Sequence, residues 1–475
     1  MSLARTLILA HRYLGIAVGL LMAVWCLSGT VMMYVPYPRL TEAERVQHLA
    51  PIAWAQCCAS ESALATVAGT VSGFQLEMVG IEAVLRLTIG PRKVRIIDLA
   101  TASVAAVPPD GAARIAAAYS AAKGALPRLL ERVNYDQWTV QGNHDLDRPL
   151  FHFALNDERG TELYVSTVTG KAVQATTTRQ RFWNWLGALP HWLYFTPLRA
   201  HGELWSQVVI WTSMLGTFLT VTGIYVGLKQ LKRRSSGRWI PYSGFQYWHH
   251  ALGVCFGLFV LTWVVSGLIS MNPWGFLEGG GFDEPGRLRG SPLPASTVAA
   301  GLDALAHASL SQQAVQVESA PLRGRLFMIV TRSGGERIRV DEHANPTPLS
   351  ADELQSIAGI LDSRGEGYAM KRLEQEDEYY FSHHRERARL PAYRVIVHDS
   401  GLTRYYLDCV SGEILQKMDR DNQWYRWLHE APHRFDFSAA MRSRPLWDLL
   451  TLLLLGGATA VCAIGAYLGV RRVTS

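Results

Sequence analysis

The sequence predicts a membrane α-helical protein: four transmembrane helices as a tandem duplication, with two periplasmic α+β domains. Three observations predict this. Four stretches, 13–35, 205–228, 249–271 and 446–470, are apolar enough to cross a bilayer. Charged residues are 18% of the 475-residue chain, below the roughly 25% usual in soluble proteins. The chain also matches itself when shifted by about 240 residues. With 10% aromatic residues and 15 Trp, the composition excludes a disordered chain, a coiled coil and a small disulfide scaffold.

The elements follow in order. Residues 1–36 hold a short N-terminus and the first span, and each span is long enough for a hydrocarbon core of about 30 Å. This first span reads as an uncleaved anchor. Its apolar run is longer than a signal core, and Pro36-Tyr37-Pro38 stands where a cleavage site needs small residues. Residues 37–180 form a first soluble domain and 181–204 a Trp-rich interfacial segment. The second span, 205–228, leads into a basic loop, 229–248, with Lys229, Lys232, Arg233, Arg234 and Arg238 and no acid. The third span, 249–271, precedes a second soluble domain, 272–422, and a second interfacial segment, 423–445. The region 446–475 closes the chain with the fourth span. Arg5, Arg12, Arg471 and Arg472 flank the outermost spans. Short basic flanks stay in the cytoplasm, so both termini and the 229–248 loop are expected inside. The six cysteines show no C-x-x-C pattern. They read as buried or incidental thiols, or as one bridge from Cys409 to Cys57 or Cys58.

The repeat is specific. His11, Leu14, Gly15, Gly19, Trp25, Ser28 and Gly29 fall on His249, Leu252, Gly253, Gly257, Trp263, Ser266 and Gly267, always 238 residues apart. Pro149, Asp157, Thr161, Tyr164 and Gly170 fall on Pro391, Asp399, Thr403, Tyr406 and Gly412, and Trp185, Pro190, His191, Gly223 and Gly227 on Trp427, Pro432, His433, Gly465 and Gly469, all 242 apart. Two halves in one orientation imply a pseudo-two-fold axis along the membrane normal. Alternating runs with a Gly at the turn, 161–173 and 403–415, predict β-hairpins. Val94–Asp98 and Arg337–Asp341 begin weaker ones. Segments 110–130 and 350–362 predict packing helices.

These motifs carry a family resemblance. The His-Arg-Tyr-Leu-Gly opening at His11, the Trp248-His249-His250-Ala-Leu-Gly block and the Tyr-Val-Ser-x-x-x-Gly hairpin at Tyr164 are its core. The 183–195 segment and Arg444-Pro-Leu-Trp-Asp add to it. Over nearly its whole length the chain resembles the PepSY-associated transmembrane proteins. That family is similar to bacterial inner-membrane proteins of iron uptake, some of which look like haem b-containing reductases of ferric siderophores. The resemblance implies such an oxidoreductase, with a ferric chelate or siderophore as periplasmic partner.

The residues themselves point to a cofactor. Histidine at membrane depth is costly and usually functional. From His11, steps of four reach Gly15 and Gly19; from His249 they reach Gly253 and Gly257. Two such faces leave room for a flat porphyrin with an imidazole on each side. The glycines could equally serve close helix packing, and the histidines could lie at headgroup level. His250 competes with His249, but its repeat counterpart is Arg12. His191 and His433 form a second equivalent pair among Trp residues, with His201 and His429 as second choices. Two haem b groups, one per pair, are therefore expected, with His11, His249, His191 and His433 as iron ligands.

Iron held by two imidazoles would relay electrons. No cytoplasmic segment is long enough for a flavin or nicotinamide domain, so a partner protein, a small reductant or membrane quinol must supply them. His144, His152, His383, His384 and His398, with the acidic run Glu374–Glu378, are candidate contacts to a chelate, although surface histidines are ordinarily solvated. There is no Ser-His-Asp set, H-E-x-x-H or P-loop, and topology explains the basic cluster, so hydrolysis, phosphoryl transfer and nucleic-acid binding are not expected. An alternative reading is a non-enzymatic membrane-anchored regulator whose PepSY-like domains bind a peptidase or another envelope protein. A transporter is disfavoured, because the spans carry no charge in their middles.

Overall fold

A computed structural model describes residues 3–56, 61, 64, 70–90, 93–104, 107–120, 126–233, 239–383 and 387–474. Cys57, Cys58, Arg234, Arg238 and His384 lie outside these. The chain divides into two compact units. One, the span unit, comprises 1–37, 180–279 and 420–475; the other, the sheet unit, comprises 38–179 and 280–419.

Four long helices build the span unit: α1 (Leu3–Met32), α2 (Gly202–Gln230), α3 (Gly244–Ser270) and α4 (Leu446–Thr474). Each is long and apolar enough to cross a membrane. The helices run beyond most of the apolar stretches, because flanking residues such as Arg5 and Arg12 continue the helical hydrogen bonding at no cost in water. α1 and α3 each pack against both α2 and α4. Met22, Ala23, Val260, Val264, Ala458, Cys462 and Ala466 form the buried apolar centre of this bundle. The segments before α2 and α4 are short helices, Thr178–Leu186, Ala188–Trp192, Arg420–Tyr425 and Ala431–Arg434, with a π-helical turn at Arg426–Glu430.

The sheet unit holds three main antiparallel sheets. The strands of the first half are β1 (Gly73–Val79), β2 (Glu82–Ile89), β3 (Lys93–Asp98), β4 (Ser103–Val104), β5 (Arg128–Val133), β6 (Leu150–Ala154), β7 (Glu162–Ser166) and β8 (Ala172–Thr176). Those of the second half are β9 (Ala314–Ser319), β10 (Phe327–Arg332), β11 (Arg337–Asp341), β12 (Tyr368–Leu373), β13 (Ala392–Val397), β14 (Arg404–Asp408) and β15 (Ile414–Met418). β5–β8 and β12–β15 form two four-stranded meanders. The expected hairpins at 161–173 and 403–415 are the last turns of these meanders. The alternating segments at Val94–Asp98 and Arg337–Asp341 are β3 and β11.

The first and second soluble segments do not stand as separate domains. They share a seven-stranded sheet in the order β11-β10-β9-β1-β2-β3-β4. β9 and β1 join the halves, pairing Gln316 with Glu77, Val317 with Leu76 and Glu318 with Gln75. This register is symmetric: Gln75-Leu76-Glu77 runs antiparallel to Gln316-Val317-Glu318, with Leu76 and Val317 at the centre. Both central side chains are fully buried, in the core that the helix Ala295–His307 covers.

The expected helices are shorter than 110–130 and 350–362. They run over Pro109–Ala118, which covers the first meander with Ala112 and Ala116, and Ala351–Leu361, which covers the second with Ile357, Ala358 and Leu361. Residues 128–130 belong to β5 instead, because Pro127 ends any helix before it and β6 supplies a pairing partner. Ser350 and Glu353 close a capping box that starts the second helix.

A buried ion cluster sits beside the β1–β9 pair. Glu77 is 1% exposed and receives two hydrogen bonds from Arg45, at 2.7 and 2.8 Å, with Arg86 at 3.0 Å. Gln316 Nε2 also donates to Glu77, at 3.2 Å. Burial disfavours the charged form, but the charges of Arg86 and Arg45 outweigh it and hold the Glu77 carboxyl well below the usual range. Glu318, its counterpart across the pair, has only Arg337 at 3.5 Å, and burial pushes its carboxyl up.

Candidate functional site

Four imidazoles meet in two pairs inside the span unit. His11 of α1 and His249 of α3 have ring centres 6.2 Å apart. His191 and His433, from the short helices before α2 and α4, have ring centres 6.1 Å apart. Along α1, His11 and Ser28, which touches His191, are 17 residues apart, so the pairs are separated by about 25 Å at helical rise. The apolar centre of the bundle fills the interval.

Each ring is held in a matching way. His11 Nδ1–H donates to the Leu219 carbonyl at 3.0 Å, and His249 Nδ1–H to the Val461 carbonyl at 3.1 Å. These acceptors, on α2 and α4, are repeat equivalents. His191 Nδ1–H donates to the Trp25 carbonyl at 3.0 Å, with Ser28 Oγ at 3.2 Å. His433 Nδ1 lies 2.9 Å from Ser266 Oγ, whose own proton goes to the Trp263 carbonyl. A carbonyl can only accept, so Nδ1 carries the proton in the carbonyl-bound rings, and the Ser266 bond sets the same tautomer for His433. Nε2 of all four rings has no hydrogen-bond partner among the described residues. Histidines that ligate metals usually anchor the other ring nitrogen in this way.

Glycines make the space for the rings. A Cβ at Gly223 would lie 2.6 Å from His11 Cε1, and one at Gly465 2.8 Å from His249 Cε1. At Gly29 and Gly267 the distances to His191 and His433 would be 3.4 and 3.5 Å. Leu193 and Phe435 follow the second pair with φ of 52° and 55°. This left-handed backbone ends each short helix just past its histidine and sends the chain away, a conformation bulky residues rarely adopt.

An imidazole nitrogen bonds a metal at about 2.0–2.1 Å and lies roughly 1.1 Å from its ring centre, so two rings sharing one metal atom have centres about 6 Å apart. Both pairs match that distance. Among the described residues no group of three or more His, Cys, Asp or Glu could hold a bare metal ion. Two imidazoles would complete the shell of a metal already carrying four in-plane ligands. Beside the first pair lies a cavity of about 840 Å³, lined by both rings and by Gly15, Gly19, Gly253 and Gly257. Its volume is within the roughly 300–1,000 Å³ of small-molecule and cofactor sites.

The other candidates divide. His250, next to His249, is buried, with Tyr242 at 5.4 Å between ring centres. His201 stands exposed at the start of α2 and touches neither pair. His429, only a second choice from sequence, is 5.2 Å from His433 and donates Nδ1–H to the Ser266 carbonyl at 2.7 Å. The π-helical turn at Arg426–Glu430 brings it there, and the equivalent position in the first half is Gly187. The carbonyls of Leu219, Val461 and Trp25 escaped sequence reasoning, since any residue carries one. Ser28, Ser266, Gly223 and Gly465 left a signal by recurring in register.

Among the described residues the sheet unit does not gather its histidines. His144 and His152 are buried rather than solvated. His152 stacks on Tyr164 at 4.3 Å and lies 3.0 Å from Glu162. His383 packs on Phe381, and His398 is exposed beyond β13. The acidic run is largely neutralised: Asp377 binds Arg394 at 2.8 Å and the Tyr406 hydroxyl at 2.9 Å, and Glu374 pairs with Arg372.

The pattern of the PepSY-associated TM region matches residues 8–333. The chain belongs to the PepSY-associated transmembrane family. As in the family region, α1, α2 and α3 are covered with His11, His191 and His249. The match ends before His433 and α4, so half of the second pair lies beyond it. No curated protein matches the chain. This member of the PepSY-associated transmembrane family is thus a multi-pass membrane protein, with four helices among the described residues long and apolar enough to span.

Proposed function

We propose that the protein is a haem b-containing inner-membrane oxidoreductase, built by tandem duplication, that carries electrons to ferric chelates such as ferric siderophores at the periplasmic face. The observation that carries this reading is the pair of imidazole pairs, each ring anchored through Nδ1 and each pair about 6 Å across. An anchor or scaffold has no need of two such pairs.

His11 and His249 would hold one haem and His191 and His433 the other. When bound, an iron porphyrin supplies a one-electron redox couple. The chain's own residues do the rest. The Leu219, Val461 and Trp25 carbonyls and the Ser266 hydroxyl fix the tautomer and the ring orientation, so that each Nε2 offers its lone pair. Gly15, Gly19, Gly253 and Gly257 keep side chains out of the space beside the first pair. Met22, Ala23, Val260 and Val264 keep water and protons out of the interval between the pairs. If each pair held its metal through both imidazoles, the pair would leave no place for a substrate on that metal, and a chelate would dock beside the site. The basic flanks at Arg5, Arg471 and the 229–248 loop support an orientation with the first pair toward the cytoplasm, where a donor protein, a small reductant or quinol would deliver electrons.

The test is a dithionite-reduced spectrum of the purified chain, followed by ferric-chelate reduction in membrane vesicles. Two b-type haems per chain are expected in the wild type, and about one in His11→Ala or His249→Ala. The double variant His191→Ala with His433→Ala should keep one reducible haem and lose chelate reduction. A colourless wild-type protein, or undiminished reduction by the double variant, sinks the proposal.

A further inference from the structure

The cavity beside His11 and His249 has a strongly basic end. α3 begins there: Ser243, Gly244, Phe245 and Gln246 all line it. The Ser243 side chain makes no capping hydrogen bond, and the first turn of this 27-residue helix has no acid. Its first N–H groups and the positive end of its dipole therefore have no side-chain partner. Arg12 of α1 and Arg471 and Arg472 of α4 line the same cavity, and none of them forms an ion pair among the described residues. Among the described residues no Asp or Glu lines it.

A second observation points to a ligand. His250 lines the cavity, is only 8% exposed, and its Nε2 is buried with no hydrogen-bond partner. A buried polar nitrogen left alone is rare and unfavourable. His250 follows His249 as Arg12 follows His11, so the pseudo-two-fold relation that pairs the imidazoles also pairs these two donors. The two equivalent donors, Arg12 and His250, with Arg471, Arg472 and a helix N-terminus at one end of a cavity, suit an occupant with two acidic groups on one edge.

We propose that this end of the cavity is a dicarboxylate site: Arg12, Arg471, Arg472, the α3 N-terminus and His250 bind the two carboxylates of the molecule whose ring system lies between His11 and His249. The assignment rests on the haem reading above and adds which edge of the porphyrin enters toward the α3 N-terminus. Arg12 and His250 then act as positioning residues, setting the rotation of the porphyrin about the line joining the two imidazoles.

The experiment uses the full-length chain, purified in neutral detergent from haem-starved cells. It is titrated with haem b and with haem b dimethyl ester, and binding is read from the Soret absorbance. The ester keeps the ring and the iron but has no carboxylate. Wild type should bind haem at least about ten-fold more tightly than the ester, the worth of one charge-assisted hydrogen bond. The variant Arg12→Gln with Arg471→Gln and Arg472→Gln should bind haem as weakly as the ester, with ester affinity unchanged, which also shows that the site is folded. His250→Gln, which keeps a donor, should retain more of the preference than His250→Leu. Added phosphatidylglycerol should leave the preference intact; its loss would give the basic end to lipid headgroups and overturn the proposal. Equal binding of haem and ester by wild type overturns the dicarboxylate site alone. Binding of neither porphyrin overturns the haem reading and this site with it.

Discussion

His249 donates its Nδ1–H to the Val461 carbonyl at 3.1 Å, and one turn further along α4 Gly465 leaves the space that the ring occupies. His11 repeats the arrangement with Leu219 and Gly223 on α2. One helix thus supplies the imidazole, and its neighbour supplies both the acceptor and the room.

Gly223→Ala and Gly465→Ala should each displace a ring, since the new Cβ would stand 2.6 or 2.8 Å from the imidazole carbon. Overpacking of this kind typically costs about 1–3 kcal/mol. On the proposed function, haem content should fall from two per chain toward one, with thermal unfolding shifted down. Full content in both alanine variants would show that the rings tolerate movement and that the glycines serve helix contact alone.

Gly253 offers the opposite case. A Cβ there meets nothing within 4 Å, although the residue lines the cavity. On the proposed function, Gly253→Leu should remove the haem of the first pair, with the melting temperature lowered by no more than the stabilisation that ligand gave. The measurements are a melting curve and a reduced spectrum on the same preparation, and retention of both haems would show the cavity to be unused.

Glu77 and Glu318 should respond oppositely to pH. The folded pKa of Glu77 is depressed, so below the ordinary glutamate value of about 4.3 the folded state binds fewer protons than the unfolded one. Its contribution is complete above that pH and is lost as pH falls toward the depressed value. The folded pKa of Glu318 is raised, so its contribution is complete below that value and declines as pH rises through its folded pKa. Glu77→Gln should cost about 3–5 kcal/mol at pH 7 by stranding the buried Arg86, while Arg45 keeps Glu42, whereas Glu318→Gln should cost nothing there. Unfolding followed by circular dichroism at pH 7 and pH 4 checks both; the Glu77 deficit should be only slightly smaller at pH 4, because it disappears only as pH approaches the depressed folded value.

Leu76→Ala tests the shared sheet. Leu76 is fully buried opposite Val317, so truncation should cost about 2–5 kcal/mol. Since the pair joins the two halves, β strands of both should lose hydrogen-exchange protection together. Loss confined to residues 70–104 would mean that the halves are stable separately.

The spans and the two histidine pairs were legible because apolar runs and in-register repeats are written in side chains. The hydrogen-bond acceptors of the pairs were not, because the carbonyls of Leu219, Val461 and Trp25 leave no mark on residue type. The hairpins were legible from alternation in 161–173 and 403–415. That β1 pairs with β9 was not: alternation identifies a strand and its buried face but not its neighbour. Pro127 was a readable stop that the Ala- and Leu-rich run around it obscured. His429 ranked only as a second choice because a π-helical turn shifts it off the ordinary helical spacing.

The Leu76–Val317 pairing also bears on how the chain is made. Val317 is synthesised 241 residues after Leu76. At about 5–20 residues per second, β1 waits roughly 10–50 s on the ribosome's schedule with one edge open. An open edge is a template for any passing strand, including β1 of another nascent copy. The protein therefore carries a vulnerable interval in its biogenesis, and slowing translation between the two strands should raise the fraction lost to aggregation or proteolysis before a mature molecule exists.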